Sequence, residues 1–134
     1  MTPEQAAAVV DGLGAAFATG DVDTVLARFV PDGEVMYAGS EAGEVAVGTA
    51  ALRLLLEDLF ARDERYSWRC DEVHVAAGSA GFAVLADATL FVDPVAGGDR
   101  ECFPYRVSGV LEAHDDDWRW RVCQGAEPVP AETG

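Results

Sequence analysis

The sequence predicts an α+β domain in which helices come first and long antiparallel strands follow. Three observations carry this. Apolar residues recur at helical spacing as far as Phe60. From Tyr66 onward the apolar period changes to two. Turn-forming clusters at Gly78-Ser79, "PVAGGD" and "HDDD" then divide the second half into hairpins. The expected architecture is three N-terminal helices packed in the concave face of a curved, mainly antiparallel sheet, a cone-shaped roll.

Each element has a local reason. Thr2 and Gln5 bracket Pro3-Glu4 as a capping box with proline at the first helical position. Val9, Val10, Leu13 and Phe17 follow at helical spacing, and Gly20 closes that helix. Asp21 caps a short second helix with Val22, Val25, Leu26 and Phe29 on its apolar face. In "PDG", residues 31–33, Pro31 presets φ and Gly33 permits positive φ, so a turn precedes a strand over Glu34 to Ala38. A brief strand, Val45 to Val47, follows "GSEAGE". Gly48-Thr49 opens the longest helix, with Leu52, Leu55, Leu56, Leu59 and Phe60 on one side. Four strands complete the chain: Ser67 to Ala77, Phe82 to Val92, Glu101 to Ala113 and Trp118 to Gln124. One domain over residues 1–128 and a flexible tail over 129–134 are expected.

Composition narrows the function classes. The chain has 134 residues, half of them hydrophobic, enough for a core without staples. Its formal charge is −15, with nine arginines and no lysine. Such a surface repels phosphate backbones and anionic lipid, which disfavours nucleic acid and membrane partners. Cys70, Cys102 and Cys123 are widely spaced and odd in number, so they form neither a disulfide framework nor a zinc pattern. "MTPEQ" has no basic or apolar leader character, and a cytoplasmic location is expected. The lysine-free, Ala/Gly/Arg-rich composition resembles the product of a GC-rich bacterial genome.

The segments "AAFATGDVDTVLARFVPDGEV", "GTAALR" and "WRWRVCQGAEP" resemble the nuclear-transport-factor-2-like superfamily, in its SnoaL-like and ketosteroid-isomerase-like branches. The likeness runs from about Glu4 to Pro128 and implies a cystatin-like roll with a pocket between sheet and helices. It also implies a homodimer through the outer face of the sheet, where Cys102, Arg106, Ser108 and Glu112 form a mixed row. Isomerases of this type carry an aspartate near the end of the first strand, a tyrosine in the first helix and a protonated acid on the penultimate strand. Those positions fall here on Tyr37, on Leu13, and on Arg106 or Val107. A phenol with an ordinary pKa near ~10 is a poor base at neutral pH, and leucine donates no hydrogen bond. The isomerase catalytic set is therefore not intact.

Tyr37 and Asp87 are the candidates for moving a proton. The resemblance implies that the smaller face of the Asp87 strand lines the cavity, which by a period-two count puts Asp87 outside, and one bulge would turn it inward. The candidate ligand-binding residues are Tyr37, Tyr105, Trp118, Trp120, Gln124 and Arg106. Trp118, Trp120 and Gln124 share a face of the last strand by the same count, equally readable as core. Tyr105 is expected inward beside Tyr37, since an unpaired buried arginine is costly. A bulge at Pro104 would turn Arg106 inward instead, giving a cation suited to a carboxylate. "HDDDW" reads as a solvated hairpin tip rather than a metal site, and His74 stands alone. No phosphate loop or nucleophile elbow is present, so no cofactor, metal or covalent step is called for. The expectation is a SnoaL-like protein that binds a small apolar or aromatic molecule. The alternatives are a cofactor-independent isomerase, cyclase or dehydratase acting on a polycyclic or hydroxylated metabolite, and a non-catalytic association module.

Overall fold

The computed structural model describes residues 1–130, so the last four residues of the expected tail lie outside the described residues. Helices α1 (Pro3–Ala18) and α2 (Val22–Leu26) lead into strands β1 (Met36–Ala38) and β2 (Val45–Val47). Helix α3 (Thr49–Phe60) precedes β3 (Glu64–Ala77), β4 (Phe82–Pro94), β5 (Glu101–His114) and β6 (Asp117–Ala126). The six strands form one curved sheet in the order β2-β1-β6-β5-β4-β3. Only the β1–β6 pair is parallel; the rest are antiparallel. No helix among the described residues is long and apolar enough to cross a membrane.

The helix ends behave as their residues dictate. The Gln5 backbone N–H donates to Thr2 Oγ1 at 3.1 Å and the Thr2 N–H to Gln5 Oε1 at 2.8 Å, completing the capping box. Gly20 takes the left-handed conformation after α1, with φ of 66°. Asp21 caps α2 by accepting the Thr24 N–H at 3.0 Å. That helix stops at Leu26, so Phe29 belongs to a segment beside β6 instead. Val30 N–H donates to Trp120 O at 3.0 Å and Trp120 N–H to Arg28 O at 2.9 Å. The first strand begins two residues later than its pattern suggested, because Glu34 N–H is taken by the Asp32 carboxylate in the turn.

The inner face of the sheet is the core. Val84, Ala86, Ala88, Leu90 and Val92 of β4 alternate inward, as do Tyr105, Val107 and Leu111 of β5. They meet Val10, Leu13 and Phe17 of α1 and Leu52, Leu56 and Leu59 of α3, all buried. Each such Leu or Phe stabilises the fold by about 1.5–3 kcal/mol relative to exposure. Helix α1 is fixed to β3 by the Trp68 indole, which donates to Val10 O at 2.9 Å.

One irregularity in β6 governs which residues face inward. Val110 pairs with Val122 while its neighbour Leu111 pairs with Trp120, leaving Arg121 as an extra residue. Beyond the bulge the inward phase passes from Trp120 to Cys123 and Gly125. Gln124 is therefore exposed on the outer face, contrary to the period-two count from Trp118 and Trp120. Around Pro104 the pairing of β4 with β5 is unbroken, so no bulge forms there. Tyr105 and Val107 face inward, and Arg106 faces outward.

Candidate functional site

Between the sheet and the end of α3 lies a cavity of about 60 Å³. That is room for roughly four or five atoms of water size. Its apolar wall contains Phe17, Leu59, Trp68 and Leu90, and its polar lining includes Tyr37, Tyr105, Glu41, Glu44, Arg62 and Glu127. The aromatic members form a chain. Ring centroids are 6.0 Å apart for Tyr37–Phe17, 4.9 Å for Phe17–Trp68 and 5.6 Å for Trp68–Tyr105. The Trp68–Val10 hydrogen bond holds the middle of this chain in place.

Tyr37 is 4% and Tyr105 5% exposed, yet no hydrogen bond among the described residues reaches either hydroxyl. Among those residues, the polar side-chain atoms both sealed from solvent and unpartnered are only Arg119 Nε and Trp120 Nε1. The two phenol oxygens are thus not sealed in; they open on the cavity they line. A hydroxyl that no protein group bonds and that opens on a cavity is an offer to a ligand or water. Burial pushes the Tyr37 phenol well above its ordinary 10.0, reinforced by Tyr105, Cys123 and Glu44. Burial raises Tyr105 as well. Both therefore stay neutral and serve as donors or acceptors, not as bases.

A glycine makes the Tyr105 position possible. A Cβ at Gly125, which faces inward beyond the β6 bulge, would overlap the Tyr105 hydroxyl. Tyr37 is set by its pairing with Ala46 on one side and Cys123 on the other, both buried.

Glu44 completes the lining, and no sequence motif marked it. The loop joining β1 to β2 folds back, with Gly39 N–H donating to Glu44 O at 2.7 Å and Glu44 N–H to Glu41 O at 3.1 Å. The Glu44 carboxylate lies over Gly39, where a Cβ would come within 2.6 Å of Oε2. Burial raises the Glu44 carboxyl above its usual 4.5, and the neighbouring Glu41 carboxylate adds to the rise. Glu41 moves the opposite way, because its Oε2 accepts from Arg62 at 2.9 Å. Of the two carboxyls, Glu44 is the one that keeps its proton to higher pH. The signal available in the sequence was phase: Glu44 stands two residues before inward Ala46 and so shares its face.

The other candidates lie elsewhere. Asp87 is on the outer face and accepts from Arg106 Nε at 3.2 Å, so neither meets the cavity. Trp120 is fully buried in the core and does not line the cavity. Trp118 packs edge-on against Phe82, with centroids 5.3 Å apart, near the β5–β6 turn. Gln124 is exposed. Among the described residues no group of three or more metal-ligating side chains comes together.

A curved α+β roll with a cavity between sheet and helices defines a nuclear-transport-factor-2-like protein. Within that class, a SnoaL-like domain model matches residues 6–127, and the chain belongs to the SnoaL-like family. Solved structures agree on the fold. A candidate dehydratase of the NTF2-like family from Streptomyces avermitilis superposes with a TM-score of 0.76 at 15% identity, covering 96% of each chain. An NTF2-like superfamily protein from Salmonella enterica gives 0.76 at 10% identity, covering 98% of this chain and 94% of that one. A candidate calcium/calmodulin-dependent protein kinase II association domain from Xanthomonas campestris gives 0.75 at 17%, covering 93% and 86%. No curated protein matches the chain in sequence. Neighbours with such different names carry the fold and not an activity.

Proposed function

We propose that this SnoaL-like protein binds a small molecule whose polar tip enters between Tyr37 and Tyr105. The observation that carries this reading is a pair of hydroxyls on buried side chains, unpartnered among the described residues and opening on one cavity. The aromatic chain beside them supplies apolar contact, and the polar tip of the ligand would satisfy both phenols. The test is a titration of small phenols, cyclic ketones and amines, followed by tryptophan fluorescence with Trp68 as the reporter in the wall. Tyr37→Phe and Tyr105→Phe should each weaken the best binder about tenfold, in line with about 1.5 kcal/mol for a buried hydrogen bond. A panel without any saturable response rejects the reading.

Glu44 favours a second reading, a cofactor-independent enzyme. A carboxylate with a raised pKa beside two phenol donors is an arrangement for proton transfer next to a carbonyl. Glu44 would take the proton from carbon while Tyr37 or Tyr105 donates to the carbonyl oxygen as charge develops there. Deuterium exchange into a bound cyclic ketone should be faster with the wild type than with Glu44→Gln; equal rates reject it.

We also propose a cytoplasmic homodimer through the outer sheet face. Ala76, Ala83, Val110, Val122, Met36 and Val47 stand in register across all six strands as an apolar row on that face. The charges beside the row are paired, Asp87 with Arg106 and Glu112 with Arg121, which limits repulsion between two copies of an acidic chain. Sedimentation should show a dimer that Met36→Glu/Val47→Glu converts to monomer; a wild-type monomer at about 100 μM, above the Kd of a stable dimer, rejects it.

A further inference from the structure

We propose that the ligand of this cavity is a cation, an alkylammonium head group held by the aromatic chain and the Glu44 carboxylate. The inference deepens the small-molecule reading above and rests on it. Five aromatic residues line one small cavity, Tyr66 and the chain Tyr37, Phe17, Trp68 and Tyr105, whose consecutive rings lie within 6.0 Å. Aromatic rings carry a negative face that attracts a desolvated cation, and alkylammonium groups are the ligands such enclosures select. The two unpartnered hydroxyls, on side chains more than nine-tenths buried, present oxygen lone pairs to the same space.

The charge around the cavity has the matching sign. Glu41, Glu44 and Glu127 belong to its lining, against one cation, Arg62. Arg62 is already engaged: its guanidinium donates to Glu41 at 2.9 Å and to the Tyr66 hydroxyl at 3.3 Å. Glu44 makes no ion pair among the described residues: Arg62 pairs with Glu41 and acts on Glu44 only at longer range, while the Glu44 carboxylate accepts the Glu41 N–H at 3.2 Å. Burial is the first cause of the raised Glu44 carboxyl pKa and the Glu41 carboxylate adds to it; a bound cation would draw that proton off. A ligand carboxylate or phosphate would meet three carboxylates against one guanidinium whose charge already faces Glu41. Size agrees too. The cavity of about 60 Å³ accepts four or five atoms of water size, the bulk of a trimethylammonium group with its attached methylene.

The experiment compares choline with 3,3-dimethyl-1-butanol, which has the same shape without the charge. Binding is followed by Trp68 fluorescence and by calorimetry. Choline should bind at least about tenfold more tightly than its neutral isostere, the size of effect expected for a desolvated cation against aromatic faces. Glu44→Gln should weaken choline much more than the isostere, removing most of that preference. Trp68→Phe, which keeps an aromatic ring, should retain a reduced preference. Equal or tighter binding of the isostere overturns the cation assignment and leaves the small-molecule reading standing. Failure of both probes and of the wider ring-compound panel rejects both. A choline preference that survives Glu44→Gln also overturns the assignment, since the charge would then be recognised elsewhere.

Discussion

Trp120 is fully buried in the core, with its indole Nε1 sealed and unpartnered, and the charged group next to it, Arg121, is fully engaged. Arg121 pairs with both oxygens of Glu112 at 2.7 Å, with both oxygens of Asp32 at 2.7 and 2.8 Å, and with Glu34 O at 2.9 Å. Around Tyr105 the polar groups open on a cavity instead. Two hydroxyls have no protein partner, a carboxyl is pushed toward its protonated form, and a void remains. Both regions lie on the inner side of the same pair of strands, β5 and β6, so neither fold nor composition distinguishes them. The difference teaches where stability and recognition are divided: the filled region holds the fold, and the open region is left incomplete for a ligand.

Truncation in the filled region should produce the largest effect. Trp120→Ala removes a fully buried indole and should lower unfolding free energy by about 3–5 kcal/mol, read by urea denaturation. The contrasting change, Tyr37→Phe, should stay within about 1 kcal/mol of wild type, because it deletes a hydroxyl with no bond to lose. If the two variants are equally destabilised, the division fails.

An intermediate effect is expected at Gly125, where the regions meet. Gly125→Ala puts a methyl group where the Tyr105 hydroxyl sits, so that ring must move. Overpacking of this kind costs about 1–3 kcal/mol. Combining it with Tyr105→Phe should restore part of the loss, because the overlapping oxygen is gone. A double variant no more stable than Gly125→Ala alone would show that the clash is relieved by other means.

The smallest effects are those of pH, and they carry opposite signs in the two regions. Arg121 holds the Glu112 and Asp32 carboxyls below their ordinary values. Their contribution is present above those values and is lost as pH falls through the lowered ones. Glu44 is raised, so its contribution is present below its ordinary 4.5 and is lost as pH rises through its folded value. Urea midpoints measured between about pH 3 and 7 should show Arg121→Ala with a shallower loss toward acid. Glu44→Gln should gain on the wild type as pH rises through the same range. Parallel pH profiles for the two variants would contradict the assignment.

Much of the fold was legible because its signals are local. The Thr2–Gln5 box, the Asp21 cap, the "PDG" turn and the change of period after Phe60 each act within a few residues. Tyr37 and Tyr105 were readable as inward because the chain keeps strict alternation from those residues to their buried neighbours Val35 and Val107. Gln124 was misplaced for the opposite reason. The extra residue at Arg121 is registered only in the pairing with β5, and a count along β6 alone passes straight through it. Glu44 escaped notice because "GSEAGE" has the composition of a solvated turn. Its burial is created by the loop folding back over Gly39, a contact that no window of sequence describes.

The bulge has one more consequence, which concerns descent rather than stability. Arg121 and Val122 are consecutive and both point away from the core, so an in-frame loss of one codon there leaves Trp120, Cys123 and Gly125 facing inward as before. The lineage can discard the residue that clamps the Asp32 turn without rewriting the cavity. A deletion one step earlier, at Trp120, has no such shelter.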